Sequence, residues 1–186
     1  MKAIVRTRYG SPDVLDLQEV EKPVPKDGEV LVQVHAASVN TLDWHTMRGQ
    51  PFLLRIGGSG LSKPKDPRLG VDLAGRVEGV GANVTQFQVG DDVFGMGRGA
   101  LAEFACAAEN RLALKPTDLS YEAAAAVPIA AVTALQGLRD KGHVRPGEQV
   151  LIQGASGGVG TFAVQIAKAF GAEVTAVCST RNVDQA

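Results

Sequence analysis

The residues best suited to chemistry form a glycine-rich turn, Gly154-Ala155-Ser156-Gly157-Gly158-Val159-Gly160, which follows the apolar run Val150-Leu151-Ile152. Such a turn, between a buried strand and a helix, lets backbone amides approach a diphosphate at the positive end of the helix. The alternative is that the glycines serve only the close packing of strand and helix. The candidates for binding the diphosphate of a dinucleotide are Ala155, Ser156, Gly157, Gly158 and Val159.

The end of the next strand carries residues that suit a second phosphate. This strand runs from Glu173 to Cys178 and is followed by Ser179, Thr180 and Arg181. A carboxylate at this position holds a ribose 2′-hydroxyl in NAD-binding units, whereas small hydroxyls and an arginine suit a 2′-phosphate. These three residues therefore predict NADP(H) rather than NAD(H) as the cofactor, although an ordinary strand-end turn can use the same residue types.

The elements that would hold these two groups form a βαβ pattern of about 35 residues. Apolar residues recur at helical spacing from Val159 to Phe170, through Phe162, Ala163, Ile166 and Ala167, and predict a helix with one apolar face. Gly171 stands where a helix end is expected. The strand that follows is nearly continuous in apolar residues, as in parallel sheets covered on both faces.

Composition narrows the classes of partner. The chain has 186 residues, 45% of them hydrophobic and 21% charged, with a formal net charge of −1. Neither a basic surface for nucleic acid nor a polybasic membrane patch is expected from this balance. No apolar run reaches the roughly 18 residues of a membrane-spanning helix. The pattern at the N-terminus predicts a strand rather than a signal peptide. We therefore expect a cytoplasmic protein in which Cys106 and Cys178 are buried, reduced thiols.

The order of patterns along the chain divides it into two parts. Residues 2–116 are rich in short strands punctuated by Gly, Pro, Asp and Asn, which favours a barrel-like β domain. Within it we expect a strand with Val30, Val32, Val34 and Ala36 on one face, a helix over 42–49, and a long surface loop over 51–67. From Ser120, a candidate N-cap, the pattern becomes helical and then βαβ. The predicted domains are residues 1–119 and 120–186.

Several short motifs, in order along the chain, resemble the zinc-free, quinone-reductase-like branch of the medium-chain dehydrogenase/reductase superfamily. Residues 37–43 are similar to its "SVNPxD" segment, with Thr41 in place of the usual proline, and residues 69–77 to its "GxDxxGxV" stretch. Residues 87–93 match its "FxxGDxV" turn. The helix from Pro128 through Thr133 and Ala134, and the glycine-rich turn itself, complete the resemblance over the whole chain.

The resemblance implies an α/β protein made of a GroES-like β-barrel followed by a partial Rossmann parallel sheet unit, with an active site in the cleft between them. It also implies zinc-independent hydride transfer from NADPH to a quinone, an enone or a small carbonyl compound. Family members are roughly twice as long, so we expect this chain to be an N-terminal fragment whose own activity is open. The substrate's identity is not indicated, and a homo-oligomer is compatible with the resemblance.

Zinc-dependent relatives place a cysteine and a His-Glu pair in the first domain. Asn40 stands at the cysteine position of this chain, and Val71-Asp72 stands at the pair. Only three histidines and two cysteines are present, without a CxxC or HExxH spacing. We therefore predict no metal.

The remaining candidates are carried over from the family. The resemblance places Asn40 and Thr133 near the nicotinamide and its phosphates, although the Thr133 hydroxyl can equally bond its own helix backbone. His45 stands where some quinone reductases carry a tyrosine in the substrate cleft, and its ordinary pKa range suits a proton donor. A surface-helix histidine is the competing interpretation. Asp43 either caps this helix or is a solvated acid, and Asp91-Asp92 is expected to be structural.

Three interpretations of the chain stay open. The chain is either part of an NADPH-dependent reductase, with Asn40 and His45 as its catalytic candidates, or a non-enzymatic nucleotide-binding module that a partner completes. A third interpretation is the product of a decaying gene. The incomplete sheet favours the second, and the residues carried over from the family favour the first.

Overall fold

The computed structural model gives the backbone of all residues and describes the side chains of 1–57 and 60–186. By its internal contacts the chain divides into two units, Met1–Pro128 and Ile129–Ala186. The predicted α/β class is confirmed, with an antiparallel sheet in the first unit and a parallel pair of strands in the second. The predicted domain boundary at 119/120 stays a prediction, and the residues after it pack partly with the first unit.

The first unit is built from seven strands and two short helices. A five-stranded antiparallel sheet has the order β6-β3-β4-β5-β7, and β1 pairs with β2. The elements are β1 Lys2–Val5, β2 Asp16–Glu19, β3 Glu29–Ala37, α1 Thr41–Arg48, β4 Asp72–Val80, β5 Asp92–Met96, β6 Phe104–Ala108, β7 Leu112–Leu114 and α2 Tyr121–Ala125. Short helical turns lie at Pro12–Val14, Arg55–Ser59 and Glu109–Arg111. The predicted long loop over 51–67 therefore contains one helical turn.

The face predicted for β3 is correct for three residues and wrong for Ala36. Val30 and Val32 lie in the main core of the sheet, with Val34 packed against them. Ala36 packs instead with Ala74 and the α2 residues of a separate cluster. The cause is an irregularity in the pairing of β3 with β4 between Val34 and Ala36. An extra residue in one strand reverses the side-chain alternation beyond it, and nothing in the apolar pattern signals it.

The helix α2 begins as predicted, because the Ser120 hydroxyl accepts a hydrogen bond from the amide of Ala123 at 3.2 Å. Ala124 and Ala125 are buried against Ala74 of the sheet. Small residues at these positions let helix and sheet approach closely. The end of the first unit is thus a helix packed on the β domain.

The second unit is a βαβ arrangement, as predicted. It comprises α3 Pro128–Leu135, which starts at the boundary between the units, β8 Gln149–Gln153, α4 Gly158–Ala169 and β9 Glu173–Val177. A π-helical turn, Gln136–Lys141, continues α3, and a short turn, Thr180–Asn182, follows β9. The strands β8 and β9 are parallel and in register from Gln149↔Glu173 to Gln153↔Val177. Gly171 ends the α4 region with φ +79°, a conformation that favours glycine.

One face of this two-stranded sheet is covered and the other is not. Ile152 packs with Ala163 and Ala167 of α4 in the core of the second unit. Leu151 is 69% exposed and Val177 is 44% exposed. The expectation of a strand covered on both faces therefore holds for one face of the described chain. Cys106 is buried as predicted, whereas Cys178, at the end of β9, is only half-buried, and both thiols are free.

The predicted apolar face of α4 is correct at its centre and wrong at its start. Ala163 and Ala167 are buried, and Phe162 and Ile166 pack beside them. Val159 is 40% exposed, because it lies in the first turn, where the helix projects beyond the core. Among the described residues no helix is both long and apolar enough to cross a membrane.

Candidate functional site

The glycine-rich turn is anchored to the neighbouring strand at its first two residues. The amides of Gly154 and Ala155 both donate to the carbonyl of Val177, at 2.9 and 3.0 Å. Gly154 has φ +76°, which glycine adopts without strain. The Gly157 amide then closes a tight turn onto the Gly154 carbonyl at 2.9 Å. The turn therefore leaves β8 and enters α4 with a defined backbone path.

The start of α4 presents backbone donors to an open space. The first amides of a helix have no acceptor within it, and Gly157 at the N-cap has no side chain to cap them. Gly157 and Gly158 are exposed. A Cβ on Gly158 would meet no atom within 4 Å. This open arrangement of amides at the positive end of a helix fits a diphosphate.

Gly160 has a different role from the exposed glycines. A Cβ at this position would lie 2.1 Å from the carbonyl oxygen of Gly154 and 2.8 Å from the Cα of Ala155. Gly160 is buried, so it serves the close packing of helix against strand. The packing interpretation therefore holds for Gly160, and diphosphate binding at Gly157 and Gly158 stays a prediction.

The turn Ser179-Thr180-Arg181 lies at the same edge of the sheet as the glycine-rich turn. The pairing of Gln153 with Val177 ends both parallel strands at one level. Ser179, Thr180 and Arg181 are all exposed. No described carboxylate forms an ion pair with Arg181. The structure therefore brings the two predicted phosphate-binding groups together and leaves the arginine available.

A residue that the sequence interpretation missed connects these two turns. The Nδ2 of Asn182 donates to the Oγ of Ser156 at 3.0 Å, and the amide of Asn182 donates to the Ser179 carbonyl at 2.9 Å. Its position directly after Arg181 was the only signal in the sequence.

In the first unit, Asn40 belongs to a small network of polar side chains. Its Nδ2 donates to the Oγ of Ser38 at 3.2 Å and to an Oδ of Asp72 at 3.1 Å. The Ser38 hydroxyl in turn donates to the same oxygen of Asp72 at 3.2 Å. Asp72 is fully buried at the start of β4. Both amide hydrogens of Asn40 are therefore engaged, which leaves Oδ1 as its acceptor group.

Asp43 caps the helix α1, which decides between its two predicted roles. Its Oδ2 accepts from the amide of Asn40 at 2.8 Å, in a reciprocal capping box. The carboxylate is 6% exposed. Burial raises the pKa of Asp43, and hydrogen bonds from the backbone of Asn40 and Gly70 oppose that effect. Asp43 therefore positions the helix that carries Asn40 and His45.

His45 is held by a backbone carbonyl at the other end of α1. Its Nδ1 lies 2.8 Å from the carbonyl oxygen of Gln50. Because a carbonyl can only accept, the hydrogen resides on Nδ1, and Nε2 is the nitrogen left for other partners. The Trp44 ring packs edge-on at a centroid distance of 4.9 Å. His45 is therefore oriented rather than a freely moving surface side chain.

The remaining candidates belong to different elements of the chain. Thr133 is exposed on α3 of the second unit, while Asn40 and His45 belong to the first. Asp92 is structural, as expected, because it accepts from Arg76 at 2.9 Å and from the Tyr121 hydroxyl at 2.6 Å. Within the described part of the chain, no cluster of His, Cys, Asp or Glu is arranged to hold a metal ion. The absence of zinc stays a prediction.

Comparison with known proteins decides the family. Residues 26–117 match the family model described as the alcohol dehydrogenase GroES-like domain. The quinone oxidoreductase of Sus scrofa is 40% identical over 187 aligned residues, which cover 97% of this chain and 53% of the relative. The chain belongs to the medium-chain dehydrogenase/reductase superfamily. Within that superfamily it lies in the quinone reductase-like branch.

Other members of this branch agree. A chloroplastic quinone-oxidoreductase homolog of Spinacia oleracea is 40% identical, over 99% of this chain and 57% of its own length. The crystal structure of Escherichia coli quinone oxidoreductase in complex with NADPH superposes with a TM-score of 0.84 at 29% identity. The superposed region covers 99% of this chain and 55% of the E. coli protein. The chain thus spans about half the length of the curated relatives that it matches.

Proposed function

We propose that this chain is the GroES-like and dinucleotide-binding portion of an NADP(H)-dependent oxidoreductase. The observation that carries the proposal is the placement of two anion-suited groups at one sheet edge. These are the amides of the exposed residues Gly158 and Val159, which have no acceptor within α4, and the side chain of Arg181 beyond β9, which pairs with no described carboxylate. A nicotinamide cofactor is also supported by the E. coli relative, which was solved with NADPH.

The residues of the second unit would hold the adenosine half of the cofactor. Amides of the glycine-rich turn would bind the diphosphate, with Ala155, Ser156, Gly157, Gly158 and Val159 forming the cradle. Ser179, Thr180 and Arg181 would bind the 2′-phosphate through charge-assisted hydrogen bonds. Thr133 is proposed to contact the cofactor on its nicotinamide side.

The proposed reaction is the reduction of a quinone, an enone or a small carbonyl compound, in line with the names of the relatives. A reduced nicotinamide, when bound, supplies a hydride. The chain's contribution is position and protons. Ser38 and Asp72 engage the nitrogen of Asn40, so its Oδ1, which accepts from the Asp43 amide in the capping box, has one further lone pair to offer. His45 offers Nε2, because Nδ1 is bound to Gln50.

An assay of NADPH oxidation tests the proposed activity. The chain is given a panel of quinones, enones and aldehydes, with NADH as the alternative donor. Turnover that depends on NADPH supports the reductase. His45→Phe should lower kcat if the imidazolium form of His45, which carries a hydrogen on each nitrogen, donates a proton from Nε2. If the chain binds NADPH tightly but does not oxidise it in the presence of any acceptor of the panel, this portion alone is not an active reductase.

A partner-completed binding module is a second candidate, favoured by one observation. Leu151 and Val177 lie on the uncovered face of the β8–β9 sheet and are 69% and 44% exposed. Exposed apolar faces of this kind mark surfaces that another polypeptide covers. Self-association by sedimentation, or activity restored by adding a second polypeptide, would favour this candidate. A cytoplasmic location stays a prediction, since one relative is named as chloroplastic.

A further inference from the structure

The glycine-rich turn and the Ser179–Arg181 turn are joined at their far ends by a single described side-chain bond. The Nδ2 of Asn182 donates to the Oγ of Ser156 at 3.0 Å across 26 positions of sequence. The near end of the glycine-rich turn is tied separately, through the amides of Gly154 and Ala155 on Val177. The spacing of the two turns beyond that anchor therefore depends on Asn182.

The backbone hydrogen bond of Asn182 also fixes the turn that contains Arg181. The amide of Asn182 closes a short helical turn onto the Ser179 carbonyl at 2.9 Å, with Thr180 and Arg181 inside it. Asn182 is half-buried, whereas the two residues it encloses are exposed. A residue whose side chain holds one turn and whose amide closes the other fixes the position of Arg181 relative to the glycine-rich turn.

We infer that Asn182 is a positioning residue for cofactor specificity, an inference that rests on the proposed function. A ligand with phosphates on both the 5′ and the 2′ oxygen must satisfy both turns at once. A ligand with only the 5′-phosphate needs the glycine-rich turn alone. Asn182 therefore acts on the preference for the 2′-phosphate through Arg181 and has little effect on the common part of the ligand.

The donated bond also sets the direction of the Ser156 hydroxyl. A hydroxyl has one hydrogen and two lone pairs, and Asn182 occupies a lone pair. The hydrogen of Ser156 is then free to point to a phosphate oxygen. Loss of Asn182 would release this hydroxyl to rotate, which is a second and smaller effect on either ligand.

The test is a double-mutant cycle on the 186-residue chain. Affinities for adenosine 2′,5′-bisphosphate and adenosine 5′-monophosphate are measured by calorimetry for wild type, N182A, R181A and the double variant. N182A should lower the affinity for the bisphosphate about three- to tenfold, as expected for the loss of one hydrogen bond, and the affinity for the monophosphate less than about twofold. In the R181A background N182A should add no further selective loss. S156A removes the same bond and also a hydroxyl placed to bind the shared 5′-phosphate, so it should weaken both ligands, and the bisphosphate more.

The matched control is Gln165→Ala, which removes an amide side chain whose one described hydrogen bond is to the Thr161 carbonyl on α4. It should leave both affinities unchanged. Equal losses of both ligands in N182A, or a loss additive with that of R181A, would overturn the inference and leave the phosphate site intact. A wild-type chain that binds neither ligand, or an R181A variant without selective loss, would instead overturn the proposed cofactor preference, and this inference with it.

Discussion

The side-chain nitrogen of Asn40 lies 3.1 Å from a carboxylate oxygen of Asp72, a residue with no exposed surface. Ser38 bonds to both partners, at 3.2 Å each. A carboxylate accepts but does not donate when ionised, so the amide must turn its nitrogen inward. The first unit therefore contains a built polar network beneath the start of α1, at the position where zinc-dependent relatives carry a cysteine.

Replacing Asn40 with aspartate should destabilise the first unit in a pH-dependent way. The substitution places a second carboxylate against Asp72 in a site shielded from water. The expected loss in the free energy of unfolding at neutral pH is about 1–3 kcal/mol. Like charges raise the pKa of the pair, so the deficit should grow as pH rises and shrink toward pH 5. Urea unfolding between pH 5 and 8 measures it.

Asn40→Ser provides the control for this variant. Serine retains a helix N-cap without adding charge. Its unfolding free energy should vary with pH in parallel with that of wild type. If N40D and N40S show the same pH dependence, Asp72 is not ionised beside Asn40 and the orientation of the amide must be revised.

The pair Gly160→Ala and Gly158→Ala should separate packing from binding. A Cβ at Gly160 would lie 2.1 Å from the Gly154 carbonyl oxygen, whereas one at Gly158 meets nothing within 4 Å. G160A should lose about 1–3 kcal/mol of stability through overpacking. G158A should leave the stability unchanged or slightly raised. It should lower the affinity for NADPH, because the added methyl group occupies the space in front of the amides. Thermal unfolding with and without NADPH distinguishes the two variants.

Arg181→Ala should lower the affinity for NADPH and leave the affinity for NADH unchanged. Charge-assisted hydrogen bonds to phosphate contribute about 1.5–3 kcal/mol, which corresponds to roughly ten- to hundredfold in affinity. Arg181 is exposed and has no described ion-pair partner, so its removal should not affect folding. Calorimetric titration of both cofactors tests this, with Lys168→Ala on α4 as a cationic control. Parallel losses of both cofactors would contradict the assignment of the 2′-phosphate.

Asp92→Asn should reduce stability at neutral pH but not in acid. The hydrogen bond from Arg76, followed by that from Tyr121, holds the pKa of Asp92 below its ordinary value. A depressed carboxyl pKa contributes stability above the unfolded pKa, near 4, and that stability is lost as pH falls through the folded pKa. Because Asp92 and Arg76 are 34% and 55% exposed, we expect less than about 1 kcal/mol.

The measurement is the difference in unfolding free energy between wild type and D92N from pH 3 to pH 7. Asp118→Asn, an exposed carboxylate with no described partner, should show no such difference. A D92N deficit that persists unchanged at pH 3 would mean that packing of Tyr121, rather than charge, holds α2 to the sheet.

Periodicity and turn chemistry predicted much of this fold. The βαβ unit, the end of α4 near Gly171 and the cap at Ser120 follow from local sequence, because each is decided by neighbours within a few residues. The face of Ala36 does not follow, since the irregularity in β3 arises from pairing with a distant strand. Val159 has an apolar side chain at helical spacing, yet its exposure depends on where the core ends.

The candidate site was predictable in its backbone and less so in its side-chain network. Glycine spacing located the turn, and the residue types after β9 predict a group suited to a 2′-phosphate at the same sheet edge. Ser38, Asp72 and Asn182 were not singled out as site residues, because their roles come from contacts across 34, 32 and 26 positions. The sequence is equally compatible with Asp43 as a cap and as a solvated acid, and its hydrogen bond to the Asn40 amide together with its burial decides for the cap.

A thermal-shift titration of this chain with NADPH and NADH side by side tests whether it binds a dinucleotide and prefers the 2′-phosphate. We expect NADPH to raise the unfolding temperature at a lower concentration than NADH does, and R181A to remove most of that difference. Stabilisation of this kind follows from binding to the folded state alone. Equal shifts with both cofactors would contradict the proposed recognition of the 2′-phosphate. The absence of a shift with either cofactor would contradict dinucleotide binding by this chain.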